Sequence, residues 1–527
     1  MSIVTSPLRQ PLHSRPNNWM NWVENHAEMR PDAPALRFLG VTTTWKQLDE
    51  RSKRLADGLY TMGVRQGDRV LLLTLNCTEF FEAVLAINHL GALAVPVNFR
   101  LAPPELAYLI KDSGAKLAFV QTPLSPLLAA ARAEAHQLEK VIEIGPELGG
   151  TTVHGNVPYE DLIHREDPRR EHVFVGADDE CLVLYTSGTS GRPKGAVLTH
   201  SNIVAQSITC IRAMRYYQDD NVGFLASPVF HVAALGSMAP MIMLGGLTVI
   251  HPLKEFNSTE MLDAWEREGV TTTFCVPTQW QAICADPTLE GRDLKLRVIS
   301  WGAAPATDAI LRAMNEKFPD ALNVCVFGQT EMSPITTVLD GDDAIRKLGS
   351  VGKVIPTIQA RIIDDEGNEV PDGEVGEIVY RGPTMMTRYW NNAKATAEAF
   401  EGGWFHSGDL VRRDEEGFIY IVDRKKDMII SGGENIYCAE VENALAEHPA
   451  ILESAVIGRK DDKWGEIPVA VVVPKPGSEV PSVDELREFL DGRIARYKFP
   501  REVIASEALP RNAAGKVEKH TLRAAHV

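Results

Sequence analysis

The segment from Tyr185 to His200 reads Tyr-Thr-Ser-Gly-Thr-Ser-Gly-Arg-Pro-Lys-Gly-Ala-Val-Leu-Thr-His and directly follows the apolar run Cys181 to Leu184. Thr186, Ser187, Thr189 and Ser190 offer hydroxyl donors. Gly188 and Gly191 let backbone N–H groups turn toward an anion, and Lys194 adds a compact positive charge. This is the composition of a loop that holds phosphate. It is not the mononucleotide P-loop, which places Gly before the lysine and Ser or Thr after it, because Lys194 lies between Pro193 and Gly195. A plain surface loop would account for the Ser and Gly content, but not for this order after a strand-like run.

Downstream, Trp301-Gly302-Ala303-Ala304-Pro305 supplies small residues where a flat ring could approach the backbone. Phe327-Gly328-Gln329-Thr330-Glu331 brings an aromatic face, a hydroxyl and a carboxylate together. An adenine could stack on Phe327, Thr330 could donate to a phosphate or a substrate carboxylate, and Glu331 could hold magnesium with phosphate oxygens. Asp409, in the turn Phe405-His406-Ser407-Gly408-Asp409-Leu410, suits a ribose diol, and Lys516 stands on a Gly-containing loop near the carboxyl end. Taken singly, each of these acids and lysines is an ordinary solvated residue.

The elements that must position these groups alternate in α/β fashion. Arg69 to Leu75 reads as a strand, Glu79 to Leu90 as a helix and Ala92 to Val97 as a strand, with further strands at Lys116 to Val120, Thr272 to Val276 and Arg297 to Ser300. Leu48, Leu55, Leu59 and Met62 recur at helical spacing after Trp45. The uncharged run Val232 to Ile250 has the length of a membrane span, but Pro240 and the pair Gly245-Gly246 divide it into a buried helix, a turn and the strand Leu247 to Ile250. From about Gly349 short strands and turns form a small β-rich subdomain, including Ala360 to Ile363, Gly376 to Tyr380 and Gly417 to Val422. The charged run Asp423-Arg424-Lys425-Lys426-Asp427 then marks a boundary, giving domains 1–424 and 425–527.

Composition narrows the function classes. With 527 residues and 44% hydrophobic content the chain can build large cores, and a net charge of −17 without a long basic run argues against a nucleic-acid surface. The seven cysteines form no CxxC pair or zinc-like cluster and read as reduced residues of a cytoplasmic chain. The prolines at 7, 11 and 16 leave the amino-terminal stretch without an apolar signal core.

In this order, and with Gly91-Ala-Leu-Ala-Val-Pro-Val-Asn-Phe-Arg100 before them, the motifs resemble the adenylate-forming (AMP-binding) acyl-CoA synthetase family across nearly the whole chain. The resemblance implies a large multi-part α/β amino-terminal domain with its β-rich subdomain and a small, mobile α+β carboxyl-terminal domain. It implies ATP, magnesium and coenzyme A as partners of a small carboxylic acid. It makes Thr186 to Lys194 a clamp on the departing pyrophosphate. Gly302, Ala303, Ala304, Phe327, Gly328 and Gln329 become the adenine site, Thr330 and Glu331 the phosphate and metal positions, Asp409 and Arg424 the ribose contacts, and Lys516 the catalytic lysine of adenylation. Lys426 falls at the hinge, and Gly432 and Gly433 on the loop that approaches the pantetheine.

The same resemblance puts His231 at the wall of the acyl pocket, with Ala233, Ala234 and Gly236 leaving room and Met238, Met241 and Met243 as adaptable apolar walls. A medium- or long-chain fatty acid is the leading expectation. An aryl acid such as a cinnamate or benzoate, and a carrier-protein acceptor, are the enzymatic alternatives; a nucleotide-sensing protein on the same fold is the non-enzymatic one. A homodimer and peripheral membrane contact stay open.

Overall fold

Local signals start the elements where the sequence places them, and long-range pairing assembles them. The computed structural model describes residues 16–145, 155–164, 173–186, 192–304, 306–432, 434–461, 463–511 and 516–526, with only the backbone of Asp342. The helix Trp45–Thr61 opens on a reciprocal cap, the Gln47 N–H donating to Thr44 Oγ1 (3.2 Å) and the Thr44 N–H to Gln47 Oε1 (2.9 Å). Its buried stripe is Leu48, Ser52, Leu55, Ala56 and Leu59, the helical spacing read from the sequence. Chain packing groups Met1–Gln359 with Arg381–Phe405, and Ala360–Tyr380 with His406–Val527.

The first unit contains an eight-stranded sheet. Arg69–Leu73, Leu93–Pro96, Leu117–Gln121, Lys140–Ile144 and Glu180–Thr186 run parallel in it, as their uninterrupted apolar faces require. Lys194–Thr199 returns antiparallel along Glu180–Thr186, and the short strand Arg388–Tyr389 pairs antiparallel with that return strand. Leu71, Val95, Val120, Val183 and Val197 share one core beneath it.

A second sheet of this unit is parallel from Leu322–Gly328 through Val298–Gly302, Thr272–Phe274, Val222–Leu225 and Leu247–Ile250 to Pro34–Phe38. Ile335–Leu339 and Ser350–Val354 add antiparallel strands beyond Leu322–Gly328. Both candidate nucleotide loops therefore leave the carboxyl ends of adjacent parallel strands, the usual place for ligands in open α/β sheets.

The uncharged run folds into the expected helix Val232–Leu244, a turn that begins at Gly245, whose φ is 69°, and the strand Leu247–Ile250; one part of the expectation is corrected, since the helix passes through Pro240 instead of breaking there. A proline cannot donate to the carbonyl four residues earlier, that of Gly236, and the Cys210 thiol serves that carbonyl instead (3.5 Å). At the other end His26 Nε2 lies 3.0 Å from the Ile242 carbonyl and Arg30 donates to the Leu244 carbonyl (2.7 Å), so the open end of the helix is satisfied. Among the described residues no helix is long and apolar enough to cross a membrane.

In the second unit Gln359–Ile363, Val375–Arg381, Phe405–Arg413 and Ile419–Arg424 lie side by side in that order. A separate sheet joins Glu434–Ile436, Ile429–Ser431, Gly465–Pro474 and Ile451–Asp461, with Glu502–Ala505 beside Gly465–Pro474. Its long strands alternate faces. Val456, Ala470 and Val472 pack with Val441 and Leu445, while Ile457, Val469 and Val471 pack with Leu509 and Leu522.

Candidate active site

The phosphate-type segment is flanked by the antiparallel strands Glu180–Thr186 and Lys194–Thr199. Thr186 stands opposite Lys194 in the register, so the chain must reverse between them. Ser187, Gly188, Thr189, Ser190 and Gly191 lie outside the described residues. Thr186 Oγ1 sits 3.4 Å from the Lys194 carbonyl oxygen and 3.2 Å from Glu331 Oε1. The hairpin and the acid, far apart in sequence, thus meet at one atom.

Glu331 is 8% exposed and lies on the short 3-10 turn Thr330–Met332. Tyr389 donates its hydroxyl to the same Oε1 at 2.9 Å, and the Met386 N–H donates to the Glu331 carbonyl at 2.8 Å. The Lys194 ammonium lies 5.1 Å from the Tyr389 ring centroid. Burial, and then the charge of Glu331, push the Tyr389 phenol up from its usual range, so it keeps its proton and acts as a donor. Among the described residues no partner falls on Glu331 Oε2. A single carboxylate with one oxygen held and the other open fits a hard cation that takes its remaining ligands from phosphate and water. No group of three or more His, Cys, Asp or Glu among the described residues is placed to hold a metal alone.

The adenine-type segments pack edge to edge. The strand Val298–Gly302 carries Gly302 opposite Val326, where a Cβ would come within 2.2 Å of the Val326 carbonyl oxygen. Gly302 is therefore the last residue of a strand, and it is glycine because of packing. The exposed pair Ala303 and Ala304 follows, Ala303 with φ 65°. Gly328 is equally constrained, since a Cβ there would lie 1.8 Å from the Pro334 carbonyl oxygen, which already accepts the Gln329 N–H at 2.9 Å. Phe327 and Thr330 are half-buried beside them.

His231 caps the helix Val232–Leu244, and its ring lies 4.4 Å from that of Phe230, which meets Phe99 edge-on at 5.6 Å. This forms an aromatic wall. Gly236 faces Pro334, so the helix touches the loop carrying Glu331; a Cβ at Gly236 would rest 3.5 Å from Pro334 Cδ, an ordinary contact. Met238 is buried. Met241 does not serve as a pocket wall, because its thioether packs against Gly223 and Gly246 in the sheet core. The seven cysteines are free, and burial pushes the Cys210 thiol up to about 12, in keeping with inert residues.

In the second unit Asp409 and Arg424 are register partners on Phe405–Arg413 and Ile419–Arg424, with Arg424 Nε 2.8 Å from Asp409 Oδ1. Asp409 is 1% exposed. The buried Glu377 steadies the turn before it, accepting from the Gly408 N–H (3.0 Å) and from Lys425 Nζ (3.2 Å). Lys426 is exposed in the turn that follows Arg424. Gly432 has φ +62°, donates its N–H to the Trp464 carbonyl at 2.7 Å, and would place a Cβ 2.7 Å from the Trp464 ring. Gly433 lies outside the described residues. Lys516 is exposed beside the bridge between Arg511 and Val517.

Sequence reasoning missed Tyr389 and Glu377. The strand Val375–Arg381 did carry a signal, an acid among apolar residues, which is seldom buried without partners. Tyr389 had none, because its meaning depends on pairing across the sheet.

The meeting of Thr186 with Glu331, and the loops that leave the adjacent strands Val298–Gly302 and Leu322–Gly328, agree with a nucleotide-using α/β enzyme. Residues 23–390 match the AMP-binding enzyme family and residues 440–516 the AMP-binding enzyme C-terminal domain. The chain is 40% identical to the feruloyl-CoA synthase of an Amycolatopsis species, covering 95% of this chain and 98% of that one. It is 36% identical to the long-chain-fatty-acid–CoA ligase FadD13 of Mycobacterium tuberculosis, covering 92% and 93%. Among solved structures, the o-succinylbenzoate CoA synthetase (MenE) of Bacillus subtilis, in complex with its acyl-adenylate OSB-AMP, is similar with a TM-score of 0.84 at 30% identity, covering 97% of this chain and 98% of that one. The chain belongs to the AMP-binding enzyme family, as an AMP-forming acid–CoA ligase.

Proposed function

We propose that this enzyme activates an aromatic carboxylic acid as its acyl-adenylate and passes the acyl group to coenzyme A. The observation that carries this reading is the 40% identity to a feruloyl-CoA synthase along nearly the full length of both chains. The wall of Phe99, Phe230 and His231 agrees with it, since ring edges and faces suit a planar substrate.

In the first half-reaction the substrate carboxylate attacks the α-phosphate of ATP, and pyrophosphate leaves. Thr186 and Lys194 grip the leaving group, Phe327 stacks the adenine, and Asp409 accepts from the ribose hydroxyls with Arg424 donating beside it. Glu331, through its open oxygen, would hold the magnesium of the nucleotide, which when bound neutralises phosphate charge. Lys516 brings a fixed ammonium to the carboxylate and the reacting phosphorus. In the second half-reaction the coenzyme A thiol attacks the mixed anhydride and AMP leaves, so no protein cysteine is needed. The segment from Lys425 onward reorients about Lys426 between the two steps, withdrawing Lys516 and presenting the backbone at Gly432 and Gly433 to the pantetheine.

A fatty acid is the second reading, favoured by the 36% identity to FadD13. With Met241 committed to the core, the flexible lining is smaller than the sequence suggested. ATP–pyrophosphate exchange across ferulate, benzoate, octanoate and palmitate separates the readings. Strongest exchange with ferulate or benzoate supports the aryl reading, and strongest exchange with octanoate or palmitate supports the alkyl one. Silence with all four acids would overturn both the aryl and the alkyl reading. Thioester yield with free coenzyme A against a phosphopantetheinylated carrier protein identifies the acceptor.

A further inference from the structure

The geometry points to Tyr389 as a positioning residue for the Glu331 carboxylate, fixing which of its two oxygens is presented to a cation and tying that choice to the phosphate hairpin. The inference rests on the proposed nucleotide role of Glu331.

Both donors to the Glu331 side chain converge on Oε1, the Tyr389 hydroxyl at 2.9 Å and the Thr186 hydroxyl at 3.2 Å. A carboxylate held by one oxygen cannot exchange its two oxygens by rotation without breaking both hydrogen bonds, so Oε2 is the oxygen left for a ligand. The backbone is held from the same side, since the Met386 N–H donates to the Glu331 carbonyl at 2.8 Å. Tyr389 is itself fixed in place. It pairs with Ala196 on the return strand of the hairpin, and the neighbouring Trp390 N–H donates to the Gly195 carbonyl at 2.7 Å. The guanidinium groups of Arg69 and Arg388 lie 4.8 and 4.7 Å from the Trp390 ring. Lys194, whose ammonium lies 5.1 Å from the Tyr389 ring, leaves the same hairpin.

Tyr389→Phe removes the O–H and keeps the ring beside Lys194. The test measures Mn2+ binding to the enzyme with a non-hydrolysable ATP analogue by electron paramagnetic resonance, with metal-free AMP affinity as the control. The expected result is Mn2+ binding weakened roughly 10- to 150-fold, the scale of one hydrogen bond to a charged group, with AMP affinity unchanged. The Mg2+ concentration for half-maximal pyrophosphate exchange should rise in parallel, and the exchange rate at saturating Mg2+ should recover. Glu331→Gln is the companion variant. If Glu331→Gln abolishes Mn2+ binding while Tyr389→Phe leaves it unaltered, the positioning role is overturned and the metal role of Glu331 stands. If Glu331→Gln leaves Mn2+ binding intact, both fall. A loss of AMP affinity in Tyr389→Phe equal to its loss of Mn2+ affinity would mark a merely structural residue and also overturn the proposal.

Discussion

Replacing Asp409 with asparagine should weaken nucleotide binding by an amount set by one charged hydrogen bond. The carboxylate side chain is only 2% exposed, and its Oδ1 is engaged by Arg424 Nε at 2.8 Å. It can accept from both hydroxyls of a ribose, whereas an asparagine side chain presents one acceptor and one donor. A hydrogen bond to a charged group contributes about 1.5–3 kcal/mol, so the affinity for ATP and AMP should fall about 10- to 150-fold. The variant should fold, because the Arg424 side chain is 40% exposed, can hydrate and keeps its hydrogen bond to the Ser407 carbonyl (3.4 Å), so the lost ion pair costs about 1 kcal/mol. Calorimetric titration with AMP measures the loss, and thermal unfolding verifies the fold. The sharper readout is discrimination: the parent enzyme should prefer ATP to its 2′-deoxy and 3′-deoxy forms, and Asp409→Asn should erase most of that preference. An unchanged AMP affinity, or full discrimination retained in the variant, would refute the ribose assignment.

Lys516→Ala should cripple pyrophosphate exchange while sparing thioester formation from a supplied acyl-adenylate; equal loss in both assays removes the lysine from the first step. Lys426→Pro, in an exposed turn, should slow thioester formation more than pyrophosphate release, and parallel losses would argue against a hinge there. His200 is 1% exposed, its Nδ1 has no hydrogen-bond partner among the described residues, and burial lowers its pKa to about 4. The unfolded chain binds that proton near pH 6.5 and the folded one only near pH 4, so stability from this site falls as pH drops through that window, by about 3 kcal/mol in all. Urea unfolding of His200→Gln at pH 7 and pH 4.5 should show its deficit against the parent shrinking by about 2–3 kcal/mol; a constant gap would show that His200 does not titrate in this window.

The segments of the candidate site were legible because each is local. Thr186 to Lys194, Gly302 to Ala304 and Phe327 to Glu331 each follow an apolar strand, and a loop of small and polar residues after such a strand has few alternatives in an α/β chain. Met241 and Pro240 show where that legibility stops. A methionine in an apolar helix reads equally well as pocket or core, and only the approach of Gly223 and Gly246 commits it to the core. A proline reads as a break until a partner such as Cys210 takes over the carbonyl it leaves without a donor.

By itself, the sequence determined the chemical inventory, its order along the chain and the alternation of elements that carries it, since composition, periodicity and loop chemistry act over a few residues. The tertiary structure alone decided which groups share an atom. Thr186 and Tyr389 both reach Glu331 Oε1 because the sheets bring Glu180–Thr186, Lys194–Thr199 and Arg388–Tyr389 together beside the turn at Thr330–Met332. Side-chain direction at such a junction follows from strand register and close packing, which no local stretch of sequence encodes.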